Sequence, residues 1–186
     1  LPSTSFSSAR PIPVKVSSYA LATVDRNQYS VPCKFTGRTM LAKAYVDRID
    51  FIVGNDVVAT HSRCYKRGEV RMEIGHYLTA LERKPHAVTN ASVVRQLPAV
   101  FGKLRAHMTK VHSRGYKDFL LVLLLLREYS LTELTTVLET MEISEINAST
   151  IQKRLNSKIS SMYEEHRIVT STAHVAIYDQ LLQEVI

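Results

Sequence analysis

The amino-acid sequence predicts an α+β protein, in which a small antiparallel β-barrel is followed by an all-helical C-terminal region. Two patterns carry this prediction: short segments with a period of two up to Gly68, and helical spacing of apolar residues after it. The composition, 45% hydrophobic and 22% charged over 186 residues, is that of an ordinary globular chain. The prediction divides the chain at about residue 70.

The barrel prediction covers residues 13–70 and depends on short alternating segments. Val14 and Val16 alternate with Lys15 and Ser17, and the same period continues in later segments. These segments are 20–24, 29–31, 39–46, 49–53 and 57–61, separated by turn residues at 25–28, 47–48 and 54–56. Strands this short, with turns this close together, predict a meander closed into a barrel, which leaves no exposed sheet edge.

The helical prediction covers residues 71–167. A first short helix is expected over 74–84, ended by Pro85, and an amphipathic one over 98–111, with Phe101, Leu104 and Met108 on one face. The helix over 116–129 is apolar nearly all round and is expected to be central. Capping-box patterns at 130–133 and 149–152 predict two further helix starts. Residues 1–12, rich in serine and proline, are predicted to be a linker, and residues 168–186 a separate tail segment.

The charge distribution points to a polyanionic partner for the front of the chain. Residues 1–117 carry 19 Lys and Arg against 7 Asp and Glu, whereas residues 118–186 carry 5 against 10. The overall charge of +7 therefore conceals a basic front and an acidic back. The alternative is a solvated surface that happens to be unevenly charged.

The basic residues suggest a surface that tracks phosphates. On the helix over 98–111, basic residues recur at spacings of four, three and four, which predicts one stripe away from the apolar face. Such a surface would bind nucleic acid in a salt-sensitive way with little sequence specificity. The candidates are Lys34, Arg38, Lys43 and Arg48 in the barrel, Arg63, Lys66 and Arg67 in the following loop, and Lys103, His107, Lys110 and Arg114 on the stripe.

No catalytic, metal or cofactor site is predicted. His61 and Cys64 have the spacing of half a zinc site, but no second pair lies at ligand spacing, and His107 and His112 are five residues apart. No phosphate loop, nucleophile elbow or paired-carboxylate pattern occurs. Two cysteines without a disulfide pattern favour a cytoplasmic setting, and the longest apolar run, 119–126, is shorter than the roughly 20 residues a membrane helix needs.

The tail contains Tyr178, Asp179, Leu181 and Leu182, whose apolar members lie at helical spacing. This pattern has two interpretations. The segment folds back on the helical core, or it docks as a short linear segment on another protein. The spacing alone favours the first.

Several motifs resemble the C-terminal region of IstA-type transposases. The most specific is Val24-Asp25-Arg26-Asn27-Gln28-Tyr29-Ser30-Val31-Pro32, which is similar to the family's "V-D-x-N-x-Y-S-V-P". Further matching segments are Tyr45-Val46-Asp47-Arg48-Ile49, His61-Ser62-Arg63-x-Tyr65-x-Arg67-Gly68, His76-Tyr77-Leu78, Leu81-Glu82-Arg83-Lys84-Pro85, Leu125-Leu126-Arg127-Glu128-Tyr129 and Tyr178-Asp179-x-Leu181-Leu182. Cys33 and Cys64 depart from the pattern and receive no role.

The resemblance implies a function that the residues alone do not give. These transposases are metal-dependent DDE enzymes, so residues 1–12 would be the linker from a catalytic core that lies outside this sequence. The barrel resembles that of phage Mu transposase, which implies a non-catalytic module contacting transposon DNA and other transposase subunits. The family works with an IstB-type AAA+ ATPase, and the resemblance shifts the preference for Tyr178, Asp179, Leu181 and Leu182 towards docking on that partner. The rival hypothesis is a protein-interaction module without direct DNA contact; a stand-alone enzyme lacks a visible site.

Overall fold

The computed structural model describes residues 9–111 and 113–165. Strands fill the first part and helices the second, so the predicted α+β class is confirmed. The strands are β1 (Arg10–Lys15), β2 (Leu21–Val24), β3 (Asn27–Ser30), β4 (Thr39–Ala44), β5 (Arg48–Val53), β6 (Asp56–Ser62) and β7 (Val70–Arg71). The helices are α1 (Leu78–Arg83), α2 (Ser92–Arg95), α3 (Ala99–Val111), α4 (Gly115–Leu124), α5 (Leu131–Thr140) and α6 (Ala148–Glu165).

The predicted closed barrel is wrong. The described strands form two sheets instead, a four-stranded one in the order β1-β4-β5-β6 and a three-stranded one in the order β2-β3-β7. The four-stranded sheet is antiparallel throughout, but β3 and β7 pair in parallel. The barrel does not close because the chain leaves β6 through the loop 63–69 and then pairs with β3, on the other sheet.

The two sheets enclose one apolar core. Met40, Ala42 and Ala44 of β4 point into it together with Ile49 and Phe51 of β5, as the alternation predicted. The period of two over the predicted segment 39–46 would place Val46 on the same side as Ala44, but Val46 is 75% exposed. It lies beyond the end of β4, in the turn to β5, where the strand alternation no longer applies.

The predicted linker also needs correction, because β1 begins at Arg10. Pro11 and Pro13 lie within this strand and face Lys43 and Leu41 of β4. β1 is an edge strand with β4 as its one neighbour in the sheet. Proline is tolerated at such an edge, because its missing N–H is not required by a second neighbour.

The helices pack around a second core, built mainly from Phe101 and Leu104 of α3 and Phe119 and Leu123 of α4, all fully buried. The helix predicted over 74–84 is divided into a 3-10 turn, Ile74–His76, and α1. The helix predicted over 116–129 ends as α4 at Leu124 and continues as a 3-10 turn, Leu125–Arg127. No helix in the described ranges is long and apolar enough to cross a membrane.

One predicted capping box is confirmed and the other is displaced. Ser130 caps α5: its hydroxyl accepts from the Glu133 amide (3.2 Å), and the Glu133 carboxylate accepts from the Ser130 amide (2.9 Å). At α6 the reciprocal pair is Asn147 and Thr150, where the Thr150 amide donates to Asn147 Oδ1 (2.9 Å). Asparagine is as good an N-cap as serine, and its position lets Ile151 enter the core.

Candidate nucleic-acid interface

The loop that carries Lys66 and Arg67 is held by two buried side chains of β3. Asn27 is 1% exposed, and its Nδ2 donates to the carbonyl oxygens of Cys64 (2.9 Å) and Lys66 (2.7 Å). Its Oδ1 accepts from the Glu69 amide (3.0 Å), and the Tyr29 hydroxyl accepts from the Cys64 amide (3.0 Å). The loop backbone is therefore fixed, while the Lys66 and Arg67 side chains are exposed.

Arg63, a predicted nucleic-acid contact, is occupied by intramolecular bonds. Its guanidinium donates to the Tyr45 carbonyl (2.6 Å) and pairs with the Asp25 carboxylate (2.9 Å), which also pairs with Arg10. Its side chain is 20% exposed. Arg63 also lies over the ring of Tyr65, 5.0 Å from its centroid. The structure thus makes Arg63 a brace between β6 and the β4–β5 turn.

Two further predicted cations lie beside carboxylates. Arg48 pairs with Asp50 (3.4 Å) and Asp47 (3.6 Å), and it stacks on the Tyr45 ring at 4.3 Å. Lys43 is half-buried and faces Asp50 across the β4–β5 ladder. Asp50 itself is 8% exposed and accepts a hydrogen bond from the Thr60 hydroxyl (3.0 Å). These carboxylates weaken the local positive potential at Lys43 and Arg48.

The remaining barrel candidates lie at the opposite end of β4. Arg38 immediately precedes this strand, whereas Arg48 follows its turn, so the two are separated by the six residues of β4, or about 20 Å. Lys34 is on the Arg38 side, with its ammonium group over the ring of Phe35. The structure therefore does not unite the predicted barrel cations, because they divide between two ends of the sheet.

The predicted stripe on α3 is shorter than expected. Lys103 and Lys110 are exposed and lie seven residues apart, about 10 Å along the helix. His107 between them is half-buried and lines an apolar groove with Val111, Leu121 and Ile143. Arg114 does not continue the stripe, because α3 ends at Val111 and Arg114 occupies the N-cap position of α4.

A second basic group was missed by the sequence argument. The ring of His86 stacks on that of Tyr116, with centroids 4.1 Å apart, and Lys84 and Lys117 line the same shallow depression. Packing of the 3-10 turn Pro85–Thr89 against α4 brings these distant residues together. The one available signal was the scarcity of acidic residues between 71 and 117, namely Glu73 and Glu82.

A polar cluster lies where the four-stranded sheet meets the helical region. Ser30 contacts two histidines: its hydroxyl lies 2.8 Å from His76 Nδ1, and its carbonyl oxygen lies 2.6 Å from His61 Nε2. His76 Nε2 lies 3.6 Å from the Glu73 carboxylate. Burial lowers the pKa of His76 and nearby His61 lowers it further, against an opposing effect of Glu73. Sequence spacing missed this cluster, because His61 is distant from Glu73 and His76 along the chain.

Two more groups near this junction have perturbed acidities. Burial, with a smaller effect of Cys33, raises the pKa of Tyr77 to about 12, and the Tyr77 hydroxyl donates to the Tyr19 carbonyl (3.0 Å). Burial also raises the pKa of the Cys33 thiol. Both groups are therefore neutral near pH 7. The predicted partner-binding residues Tyr178, Asp179, Leu181 and Leu182 lie outside the described residues.

The sequence of this chain is similar to the sequences of known transposases. Residues 1–73 match the model of the Mu transposase C-terminal domain. The chain is 30% identical over 97 residues to the "Transposase for insertion sequences IS1326/IS1353" of Pseudomonas aeruginosa, covering 50% of this chain and 19% of that protein. The protein of the same name from Shigella flexneri gives the same values. A "Transposase" of Aminobacter aminovorans is 31% identical over 101 residues, covering 52% of this chain and 20% of that protein.

The matched region spans about a fifth of the length of these curated relatives. No solved structure gives a significant match to the chain. The matched residues 1–73 contain all seven strands from β1 to β7 together with the Asn27 and Tyr29 bonds to the loop. The predicted resemblance is confirmed: residues 1–73 match the Mu transposase C-terminal domain, and the chain is homologous to insertion-sequence transposases of the IS1326/IS1353 type.

Proposed function

We propose that this chain is a non-catalytic DNA-binding and assembly module that acts in DNA transposition. The observation that carries the proposal is the fixed loop 64–69, which presents Lys66 and Arg67 to solvent within the region matched to the Mu transposase C-terminal domain. Neither side chain has an acidic partner among the described residues, so both charges are available to phosphates.

The second part of the proposed DNA surface is on the helical region. Lys103 and Lys110 of α3 are exposed, and Lys84 and Lys117 flank the stacked His86–Tyr116 pair. His86 of this pair is exposed and Tyr116 is half-buried, and cations beside an accessible aromatic ring are a common arrangement in proteins that contact nucleic-acid backbones and bases. Arg48 and Arg63 serve this surface indirectly, by holding the β4–β5 turn and the start of the loop.

Fluorescence anisotropy with labelled duplexes tests the proposal. The chain is titrated with a transposon-end duplex and a random duplex of equal length at several salt concentrations. Phosphate contacts predict binding to both duplexes, with an affinity that falls steeply as the salt concentration rises. The slope of the logarithm of the binding constant against the logarithm of the salt concentration should be about −0.9 for each phosphate contact. If neither duplex bound the chain at low salt, the proposal would be contradicted.

Catalysis is assigned elsewhere in this proposal. A DDE transposase needs carboxylates that hold divalent metal, and we place that chemistry in a catalytic core outside this sequence. Three acidic side chains of the described residues, Asp25, Asp50 and Glu82, are engaged in ion pairs or hydrogen bonds. Metal-dependent cleavage of a labelled transposon end by this chain alone would contradict the assignment.

A specific observation also favours the alternative, a protein-interaction module. Val111 and Leu121 are 54% and 51% exposed and line one groove with Ile143 and Ile146. Large apolar side chains grouped in this way are typical of surfaces that contact another protein. Sedimentation equilibrium without DNA distinguishes the two functions: a stable oligomer that does not bind DNA supports the alternative, and a DNA-binding monomer opposes it.

We also propose that the tail recruits an IstB-type AAA+ ATPase through Tyr178, Asp179, Leu181 and Leu182. The support is the resemblance of Tyr178-Asp179-x-Leu181-Leu182 to the tail of IstA-type transposases. Deletion of residues 175–186 is expected to abolish ATPase capture while the thermal unfolding of the chain is unchanged. A truncated chain that still captures the ATPase would refute this assignment.

A further inference from the structure

We propose that His61, Glu73 and His76 form a binding site for one divalent transition-metal ion of the zinc class. One ligand atom from each residue lies within 4.8 Å of the other two. Zinc holds nitrogen and oxygen ligands at about 2.0–2.1 Å, which places tetrahedral ligand pairs a little over 3 Å apart. The 3.6 Å between His76 Nε2 and the Glu73 carboxylate is already close to that separation.

Both imidazoles are oriented by the same residue. Ser30 is 0% exposed; its hydroxyl contacts His76 Nδ1, and its carbonyl oxygen contacts His61 Nε2. The Ser30 hydroxyl is itself fixed, because it accepts from the Glu73 amide (2.9 Å). Metal-binding histidines usually have their second ring nitrogen held by a carboxylate, a backbone carbonyl or water; here the Ser30 carbonyl holds His61 and the Ser30 hydroxyl holds His76. Ser30 thus positions both rings and the backbone of the third ligand.

The ligand set selects the ion. Two imidazoles and one carboxylate suit zinc and its neighbours, whereas magnesium and calcium prefer sites made of oxygen ligands. Three protein ligands leave a fourth position for water. Solvent reaches two of the three ligands, because Glu73 is 58% exposed and His61 lines an open groove together with Arg63 and Glu69. Arg63 in this groove is already paired with Asp25, which limits its repulsion of a cation.

The site would join the two parts of the fold. His61 belongs to β6, whereas Glu73 immediately precedes the 3-10 turn before α1 and His76 is the last residue of that turn. A bound ion would therefore link the four-stranded sheet to the beginning of the helical region. Because such a site forms only in the folded chain, binding is expected to raise the midpoint of thermal unfolding. This inference is independent of the proposed DNA binding and of any catalytic metal.

Titration with zinc tests the site. The full chain is stripped with chelator, freed of it, and titrated with ZnCl2 by calorimetry, with thermal unfolding measured in parallel. One ion per chain and an upward shift of the unfolding midpoint are expected. Cobalt(II) provides a second measurement. At one equivalent of cobalt(II), we expect a visible absorption band as strong as that of a tetrahedral cobalt(II) complex.

Variants assign the binding to these residues. Glu73→Gln is the first choice, because this exposed side chain can change without disturbing the core, and at least a 10-fold loss of zinc affinity is expected. His76→Gln and Ser30→Ala are expected to weaken binding as well, the latter by 10- to 100-fold through loss of positioning. Glu69→Gln, in the same groove but outside the cluster, is the matched control and should bind like the parent.

The outcomes separate the possibilities. Zinc binding that Glu73→Gln weakens and Glu69→Gln does not supports the site. Equal weakening in both variants would mean nonspecific attraction to the groove and would overturn it. A zinc affinity that only His107→Gln weakens would place the ion outside this cluster and would refute the proposal. Absence of zinc binding by the parent chain would also refute it.

Discussion

Replacing Asn27 with alanine removes three hydrogen bonds that fix the loop carrying Lys66 and Arg67. The lost bonds join Asn27 to the carbonyl oxygens of Cys64 and Lys66 and to the amide of Glu69, at 2.7–3.0 Å. Each hydrogen bond contributes about 0.5–1.5 kcal/mol, and backbone groups left buried without a partner add to the loss. We therefore expect the Asn27→Ala variant to lose about 2–4 kcal/mol of unfolding free energy.

Urea unfolding followed by circular dichroism measures this loss, and duplex binding by anisotropy measures its effect on the loop. Asn90→Ala, at an exposed asparagine, is the matched control and should change the free energy by less than about 0.5 kcal/mol. Tyr29→Phe removes the single bond to the Cys64 amide and should fall between the two. An Asn27→Ala variant as stable as the Asn90→Ala control would refute the proposed role of the Asn27 bonds.

Three other changes test separate parts of the fold. A Cβ at position 115 would lie 1.8 Å from the Met108 carbonyl oxygen, so Gly115→Ala should lower the free energy of unfolding in urea by about 3 kcal/mol. Gly102→Ala, where the added Cβ meets open space in α3, should raise this free energy by about 0.5–1 kcal/mol. Equal effects of the two substitutions would contradict the close approach of α3 and α4. Ser130→Ala should cost about 1 kcal/mol by the same assay, against no change for the exposed Ser144→Ala, because it removes the cap of α5. Burial raises the pKa of Cys33, so less thiolate forms at a given pH in the folded chain. The rate of Cys33 alkylation, followed by mass spectrometry, should therefore reach half its limiting value at a higher pH in the folded chain than in guanidinium. Identical pH profiles in the two states would contradict the raised pKa.

The sequence was sufficient for most elements because local rules determine them. Alternation placed Met40 and Ala42 in the core, and the apolar period placed Phe101, Leu104 and Met108 on one face of α3. The division of the strands into two sheets, in place of a closed barrel, was not predictable in this way. It depends on β7, which pairs in parallel with β3. β7 has only two residues, too few to show a period.

The candidate site was predictable only in part, since residue type does not reveal a side chain's partner. Lys66 and Arg67 are exposed as a DNA contact requires, but Arg63 is held by Asp25 and Tyr45. The His86–Tyr116 stack joins residues 30 positions apart, and the His61–Glu73–His76 cluster brings His61 to a pair that begins 12 positions later. The motif Asn27-Gln28-Tyr29-Ser30 carries the family resemblance in the sequence, whereas its physical role depends on the fold: Asn27 and Tyr29 bond the loop, and Ser30 contacts the two histidines.

The central claim is that Lys66 and Arg67 on the fixed loop contact DNA phosphates. The most direct measurement compares duplex affinity and its salt dependence for Lys66→Glu/Arg67→Glu with those for Lys153→Glu/Arg154→Glu, an equal charge change at exposed positions of α6. We expect the loop variant to bind at least 10-fold more weakly, with a salt slope reduced by about 2, and the α6 variant to stay close to the parent. Equal losses in both variants, or none in the loop variant, would contradict the claim.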